Sequence, residues 1–245
     1  MLYNILAVGD VVGGCGVSHL ERHLRAVKKL KNIHFTVVNG ENAAMVGLTR
    51  DDAERIFAAG ADVITLGNHS FGKVQISDYL DDCPYILRPH NLGARLPGRG
   101  YGVYDCGRAR IAVMNLIGRC DLAFNADNPF KTADELLKAG GKPTFTLLDF
   151  HAEATSEKLA MAYYLDGRVS AVWGTHTHVP TADEEVFPKG TGYLTDLGMT
   201  GAVRSVLGIR PEQSVETFLG GLPGRYREPE KSPGKMQGAI FTLDD

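Results

Sequence analysis

Short apolar runs of strand character recur along the chain at 5–8, 35–38, 63–66, 110–116, 144–148, 169–173, 192–194 and 239–243. Runs of this length with few polar interruptions suit strands covered on both faces, which restricts the fold to sheets packed between other layers. Amphipathic stretches separate several of them. Over 18–30, Leu20, Leu24 and Val27 share a helical face extended by Val17 and Leu30; over 49–59, Ala53, Ile56 and Phe57 do the same. Thr49 to Asp52 and Thr132 to Glu135 have the form of capping boxes, and Gly60, Gly140 and Gly167 stand where helices should stop. The first half therefore reads β-α-β-α-β, with parallel strands and right-handed crossovers. The second half is richer in strands, and 100–116 predicts a hairpin turning at Gly107-Arg108. The expected class is α/β, with a mixed two-sheet core and helices outside.

A chain of 245 residues is long enough for one large domain, and a single domain over 1–245 is expected. No apolar run approaches the roughly 18 residues that span a bilayer. The N-terminal Met-Leu-Tyr-Asn-Ile-Leu enters the first strand without a basic region and cleavable apolar segment, so a cytoplasmic protein without membrane attachment is expected. Cysteines 15, 83, 106 and 120 form no Cys-x-x-Cys pair and read as reduced thiols, with Cys15 a small residue in a tight, glycine-rich turn. A net charge of −3 gives no general attraction for nucleic acid, and the basic run at 28–31 suits the end of a helix. The Gly-, Pro- and charge-rich stretch 220–235 reads as a surface loop before the last strand.

The chemistry lies just beyond the apolar runs. Asp10, Glu41-Asn42, Asn68-His69, His151 and His176-Thr177-His178 follow them, where α/β sheets gather their ligands. Each has an ordinary reading alone: Asp10 as a turn residue, Glu41-Asn42 as a helix start, Asn68 as an Asx turn. Together, oxygen and imidazole donors in this order are what a two-metal phosphoesterase site requires. In an extended segment His176 and His178 would project to the same side. His19 and His23 fall on the polar side of a helix and read as solvated, while His90 is at most a rim residue. The polar segment 195–201 could present backbone N–H groups to a phosphate, with Thr200 as a weak substrate contact, or could support the two histidines from behind.

Gly9-Asp10, Gly40-Glu41-Asn42, Gly67-Asn68-His69 and Gly174-Thr-His-Thr-His178 resemble the calcineurin-like metallophosphoesterase superfamily. The longer strings 39–44, 149–158, 174–179 and 195–201 resemble, within it, the YmdB-like bacterial phosphodiesterases, and the likeness covers almost the whole chain. The resemblance implies a four-layer α/β/β/α sandwich of two mixed sheets flanked by helices, around two metal ions, iron or manganese. It implies Asp10, Asn42 and His178 on one metal, Asn68, His151 and His176 on the other, and Glu41 bridging them. Two departures stand out. The superfamily generally opens with Asp-x-His, where this chain has Asp10-Val11-Val12, and it bridges with Asp rather than Glu41.

Two divalent ions less the charges of Asp10, Glu41 and a bridging hydroxide leave a weakly cationic site, suited to a phosphodiester monoanion attacked by that hydroxide. His69 is the expected general acid; Ser70 follows it where the superfamily commonly has an acidic residue, so its orienting partner is open. The implied substrate is a nucleoside 2′,3′-cyclic phosphate or a related small phosphodiester. A phosphomonoesterase or RNA-processing hydrolase using the same site, and a nucleotide-sensing regulatory protein that binds RNA or a partner protein, are the alternatives; a homo-oligomer is compatible with any of them. A metallo-β-lactamase-like site is disfavoured because Val179-Pro180 follows the His-x-His.

Overall fold

Alternation within the apolar runs decides how they are buried. The computed structural model describes residues 1–122, 125–222 and 224–245. In chain order its elements are β1 (Leu2–Val8), β2 (Asp10–Val11), α1 (Gly13–Leu30), β3 (Ile33–Asn39), α2 (Arg50–Ala59), β4 (Val63–Thr65), a 3-10 turn (Val74–Ile76), α3 (Ser77–Asp82), β5 (Ile86–Leu87), β6 (Tyr101–Cys106) and β7 (Ala109–Ile117). There follow α4 (Pro129–Ala139), β8 (Phe145–His151), α5 (Thr155–Leu165), β9 (Ala171–Thr175), β10 (Glu185–Val186), β11 (Gly192–Leu194), β12 (Met199–Ala202), α6 (Pro211–Phe218), β13 (Gly234–Lys235) and β14 (Gly238–Asp244).

Two large mixed sheets form, in the orders β14-β1-β3-β4-β5 and β10-β11-β9-β8-β7-β6, with a small third sheet β13-β12-β2. Strands β1, β3, β4 and β5 run parallel, as do β7, β8, β9 and β11, while β14, β6 and β10 pair antiparallel at the edges. Successive strand residues face opposite ways. Ile5, Val37 and Val63 of the first sheet share one apolar cluster with Val113, Leu147 and Trp173 of the second. Their neighbours Leu6, Val38 and Ile64 instead pack with Leu20 and Leu24 of α1 and Ile56 of α2. On the other sheet, Met114, Leu148 and Val172 pack with Leu136 of α4 and Met161 and Leu165 of α5. No helix among the described residues is long and apolar enough to cross a membrane.

The sequence expectations differ from the structure at several ends. The first helix begins at Gly13, well before residue 18, and Gly16 passes so close that an added Cβ would lie 2.4 Å from the Thr200 carbonyl oxygen. Thr49 does cap α2, accepting from the Asp52 amide at 3.1 Å. Thr132 does not cap α4: Asn128 accepts from the amides of Phe130 (3.0 Å) and Lys131 (3.3 Å), with Pro129 preset at the first helical position. The hairpin is present as β6–β7, with Gly107 at φ 66° in its turn. The 220–235 stretch, of which Pro223 lies outside the described residues, ends in β13 and folds back on the chain, its Glu228 accepting from the Cys15 amide at 3.0 Å. Short pairings such as β2 with β12 carry too few residues to leave a periodic trace.

Candidate metal centre

Strands β1, β3 and β4 of one sheet and β8 and β9 of the other deliver the chemical residues to a common edge. One ligand atom each from Glu41, His151 and His176 lies within 4.8 Å of the others, and the same holds for Asp10, Glu41 and His178. Glu41 belongs to both groups. Asp10, Glu41 and His151 are fully buried.

The His-x-His segment does not extend β9. His176 has φ 104° and His178 φ 64°, so both occupy left-handed backbone that side chains other than glycine avoid. It is therefore not alternation along a strand that turns the two imidazoles inward, but two strained turns, each of which typically costs about 1–3 kcal/mol. Neighbouring groups hold them. The His176 amide donates to Asp10 Oδ2 at 3.2 Å, and the Thr177 amide to Asp196 Oδ2 at 3.2 Å. Asp196 is itself paired with Lys158 of α5 at 2.7 Å, both 1% exposed. Removing one partner of such a pair leaves a buried charge uncompensated. Lys158→Met is expected to lower the unfolding free energy by about 3–5 kcal/mol, measured by urea denaturation; an unchanged midpoint would show that the pair does not hold this segment.

The outer hydrogen bonds orient the three imidazoles. His151 Nδ1 lies 2.9 Å from Thr175 Oγ, and that hydroxyl donates to Asp149 Oδ1 at 2.7 Å, so Nδ1 must carry the proton. His176 Nε2 faces Glu153 Oε2 at 3.0 Å, and His178 Nδ1 faces the Leu207 carbonyl at 3.1 Å. The inner nitrogens thus keep free lone pairs. Burial reinforces this by pushing His151 down to about 3 and His176 and His178 below the ordinary imidazole value.

These lone pairs point at one another. His151 Nε2 faces Asn68 Oδ1 at 2.8 Å, His176 Nδ1 at 3.2 Å and Glu41 Oε2 at 3.4 Å. His178 Nε2 lies 3.7 Å from Asp10 Oδ1, a buried oxygen with no hydrogen-bond partner. Burial, with Glu41 and Asp196 nearby, pushes Asp10 well above the usual carboxylate range. Burial also opposes ionisation of Glu41, but the adjacent His151 and His69 imidazoles outweigh it and hold its carboxyl at about 2. Apart from the Asn42 NH2, these donor atoms converge without protons between them, as a cation requires, so the two groups that share Glu41 fit bound metal.

Gly67 makes the convergence possible. A Cβ there would fall 2.3 Å from the His151 ring and 2.4 Å from Glu41 Oε2. Gly67→Ala is expected to reduce bound metal at least about tenfold, comparable with the loss of an outer partner of a metal ligand, while far-UV circular dichroism is retained. A variant with full metal content would show that the centre can shift to accommodate the methyl.

Asn42 is the member of the implied ligand set whose orientation differs from that role. Its Nδ2 faces Glu41 Oε1 (2.9 Å) and His178 Nε2 (3.2 Å), and its Oδ1 faces His69 Nδ1 at 2.8 Å. Only a carbonyl oxygen ligates, so a ligand role requires the amide to turn over. As placed, Asn42 is the partner of His69 that the sequence left open, with Glu41 Oε1 3.4 Å from the same nitrogen. The hydrogen bond to Glu41 raises His69 above the usual imidazole value. Thr200 is fully buried, pairing with Val11 beneath the centre, and is not part of the cleft lining. His19 and His23 lie against each other on α1, their rings tilted by 43° with centroids 4.4 Å apart.

Glu41, Asn42, His69, His176 and His178 open onto a cleft of about 350 Å³. Sequence reading passed over Asp149, Glu153 and Thr175. Asp149 stands two residues before His151 and Glu153 two after it; for Asp149, on the strand, that spacing was the available clue.

The family described as YmdB-like protein matches the chain over residues 6–245. The chain is 44% identical to a Bacillus subtilis (strain 168) protein named 2′,3′-cyclic-nucleotide 2′-phosphodiesterase, over 98% of this chain and 91% of that one. Among solved structures it is similar to a novel phosphatase from Mycoplasma pneumoniae, with TM-score 0.92 and 33% identity over 100% of this chain and 89% of the other. It also resembles a hypothetical protein from Thermus thermophilus, with TM-score 0.87 and 34% identity over 98% and 100% of the two chains.

Proposed function

The chain belongs to the YmdB-like protein family, and from that membership we propose that it is a dinuclear-metal phosphodiesterase acting on nucleoside 2′,3′-cyclic phosphates. The observation that carries the reading is Glu41, one buried carboxylate common to two groups of metal-ligand type. Asp10 and His178 would complete one ion's protein ligands, and Asn68, His151 and His176 the other's, with Asn42 joining the first on turning its amide. Imidazole and oxygen donors suit iron or manganese. When bound, the ions supply Lewis acidity toward the phosphoryl oxygens and lower the pKa of water.

The chain's own residues do the rest. Glu153, Thr175 and the Leu207 carbonyl hold the imidazoles in the tautomer that leaves the inner nitrogens free. His69, whose Nδ1 faces Asn42 Oδ1 before that amide turns and lies 3.4 Å from Glu41 Oε1, presents its ring to the cleft. Water attacks phosphorus and sheds one proton to solvent, the P–O2′ bond breaks, and His69 gives its proton to the departing 2′ oxygen, leaving a 3′-phosphate; His69 then regains a proton from solvent. No covalent bond to the protein forms. The three core clusters support the layer order α/β/β/α, and the cluster shared by the two sheets supports a single domain over 1–245.

The test is hydrolysis of 2′,3′-cyclic AMP beside bis-p-nitrophenyl and p-nitrophenyl phosphate, by protein with its metals quantified. About two ions per chain, faster diester than monoester hydrolysis, and complete loss of activity with a chelator are expected. Bound metal without turnover of any ester would leave a sensor.

A further inference from the structure

The metal-ligand residues form only part of the cleft. Apart from them, His69, Glu153 and Thr177, its lining among the described residues is Val12, Met45, Val46, Leu207, Ile209 and Tyr226. Among the described residues Tyr226 is the one aromatic ring there besides the imidazoles, and it is 52% exposed. Its backbone is held on both sides. The Arg225 carbonyl accepts from Gln213 Nε2 at 2.9 Å, the Arg227 amide donates to Gln213 Oε1 at 3.0 Å, and the Arg227 carbonyl accepts from the Arg210 amide at 2.9 Å. Leu207 is tied to the centre itself, since its carbonyl accepts from His178.

A phosphodiester whose phosphate sits over the metal-ligand residues has this apolar wall, in the same cleft, beside its nucleoside. About 350 Å³ lies at the small end of ligand pockets and suits one nucleotide. Resting on the phosphodiesterase reading above, we propose that Tyr226, with Leu207 and Ile209, forms the nucleobase subsite, binding the base by its face. Every base has such a face, and apart from the tyrosine's own hydroxyl this wall carries no polar side chain to read an edge. The subsite therefore accepts purines and pyrimidines alike.

The experiment compares KM for 2′,3′-cyclic AMP, 2′,3′-cyclic CMP and the base-free ribose 2′,3′-cyclic phosphate in the wild type, Tyr226→Ala and Tyr226→Phe. The wild type should favour both nucleotides over the base-free ester. Tyr226→Ala should raise KM for both nucleotides about 10- to 100-fold, shrinking their advantage over the base-free ester, and Tyr226→Phe should preserve it. Equal KM for nucleotides and base-free ester in the wild type, or no change in Tyr226→Ala, overturns the subsite while leaving the phosphodiesterase reading intact. No turnover of any cyclic phosphate, the base-free one included, overturns both.

Discussion

Glu41→Gln is expected to lower hydrolysis of a 2′,3′-cyclic nucleotide by about 10³-fold or more and to reduce bound metal from two ions per chain to one or none. The estimate follows from position: loss of an outer partner of a metal ligand already costs about 10–100-fold, and Glu41 lies in both ligand groups. The substitution keeps the shape and removes the charge. It also turns one oxygen into an NH2, which must face either the amides and rings that now donate to the carboxylate or the space reserved for a cation. Metal analysis and steady-state kinetics on the same preparation decide the matter; two retained ions with full turnover would mean that Glu41 does not bridge.

His69→Ala should lower kcat by about 10²–10⁴-fold, the usual contribution of a general acid, with metal content unchanged. The loss should depend on the leaving group. A ribose alkoxide needs a proton, whereas p-nitrophenolate departs as a stable anion, so the variant should lose much less activity toward bis-p-nitrophenyl phosphate. The pH dependence has a definite sign. The hydrogen bond to Glu41 raises His69, so its acid form persists above the ordinary imidazole value and is lost as pH rises through the raised value. Activity should therefore fall on the alkaline side, and that limb should disappear in the variant. Equal losses with both leaving groups, or loss of metal, would assign His69 to holding the centre.

The candidate donor residues were legible because the ability to ligate a metal is a property of residue type, and their positions after apolar runs placed them at strand ends. Asp10, Glu41, Asn68, His151, His176 and His178 could all be named from the chain alone, as could the parallel strands that carry them. The two faces of each strand were legible as well, since Ile5 and Leu6 are both apolar and each must be covered. Helix starts were less so: the cap of α4 is Asn128, just before Pro129, while Thr132 lies inside the first turn with its hydroxyl donating to the Asn128 carbonyl at 3.1 Å.

What only the tertiary structure decided depends on groups far apart in the chain. The inward turn of His176 and His178 comes from left-handed backbone held by Asp10 and Asp196, not from strand alternation. Which imidazole nitrogen is free follows from Thr175, Glu153 and the Leu207 carbonyl. Asn42 faces His69 because Glu41 and His178 draw its NH2, and Tyr226 reaches the cleft because Gln213 and Arg210 hold the segment around it. Residue types and their local spacing carry the inventory of the chemistry. Orientation is a many-body outcome of packing and hydrogen bonding, and it exists only once distant segments meet.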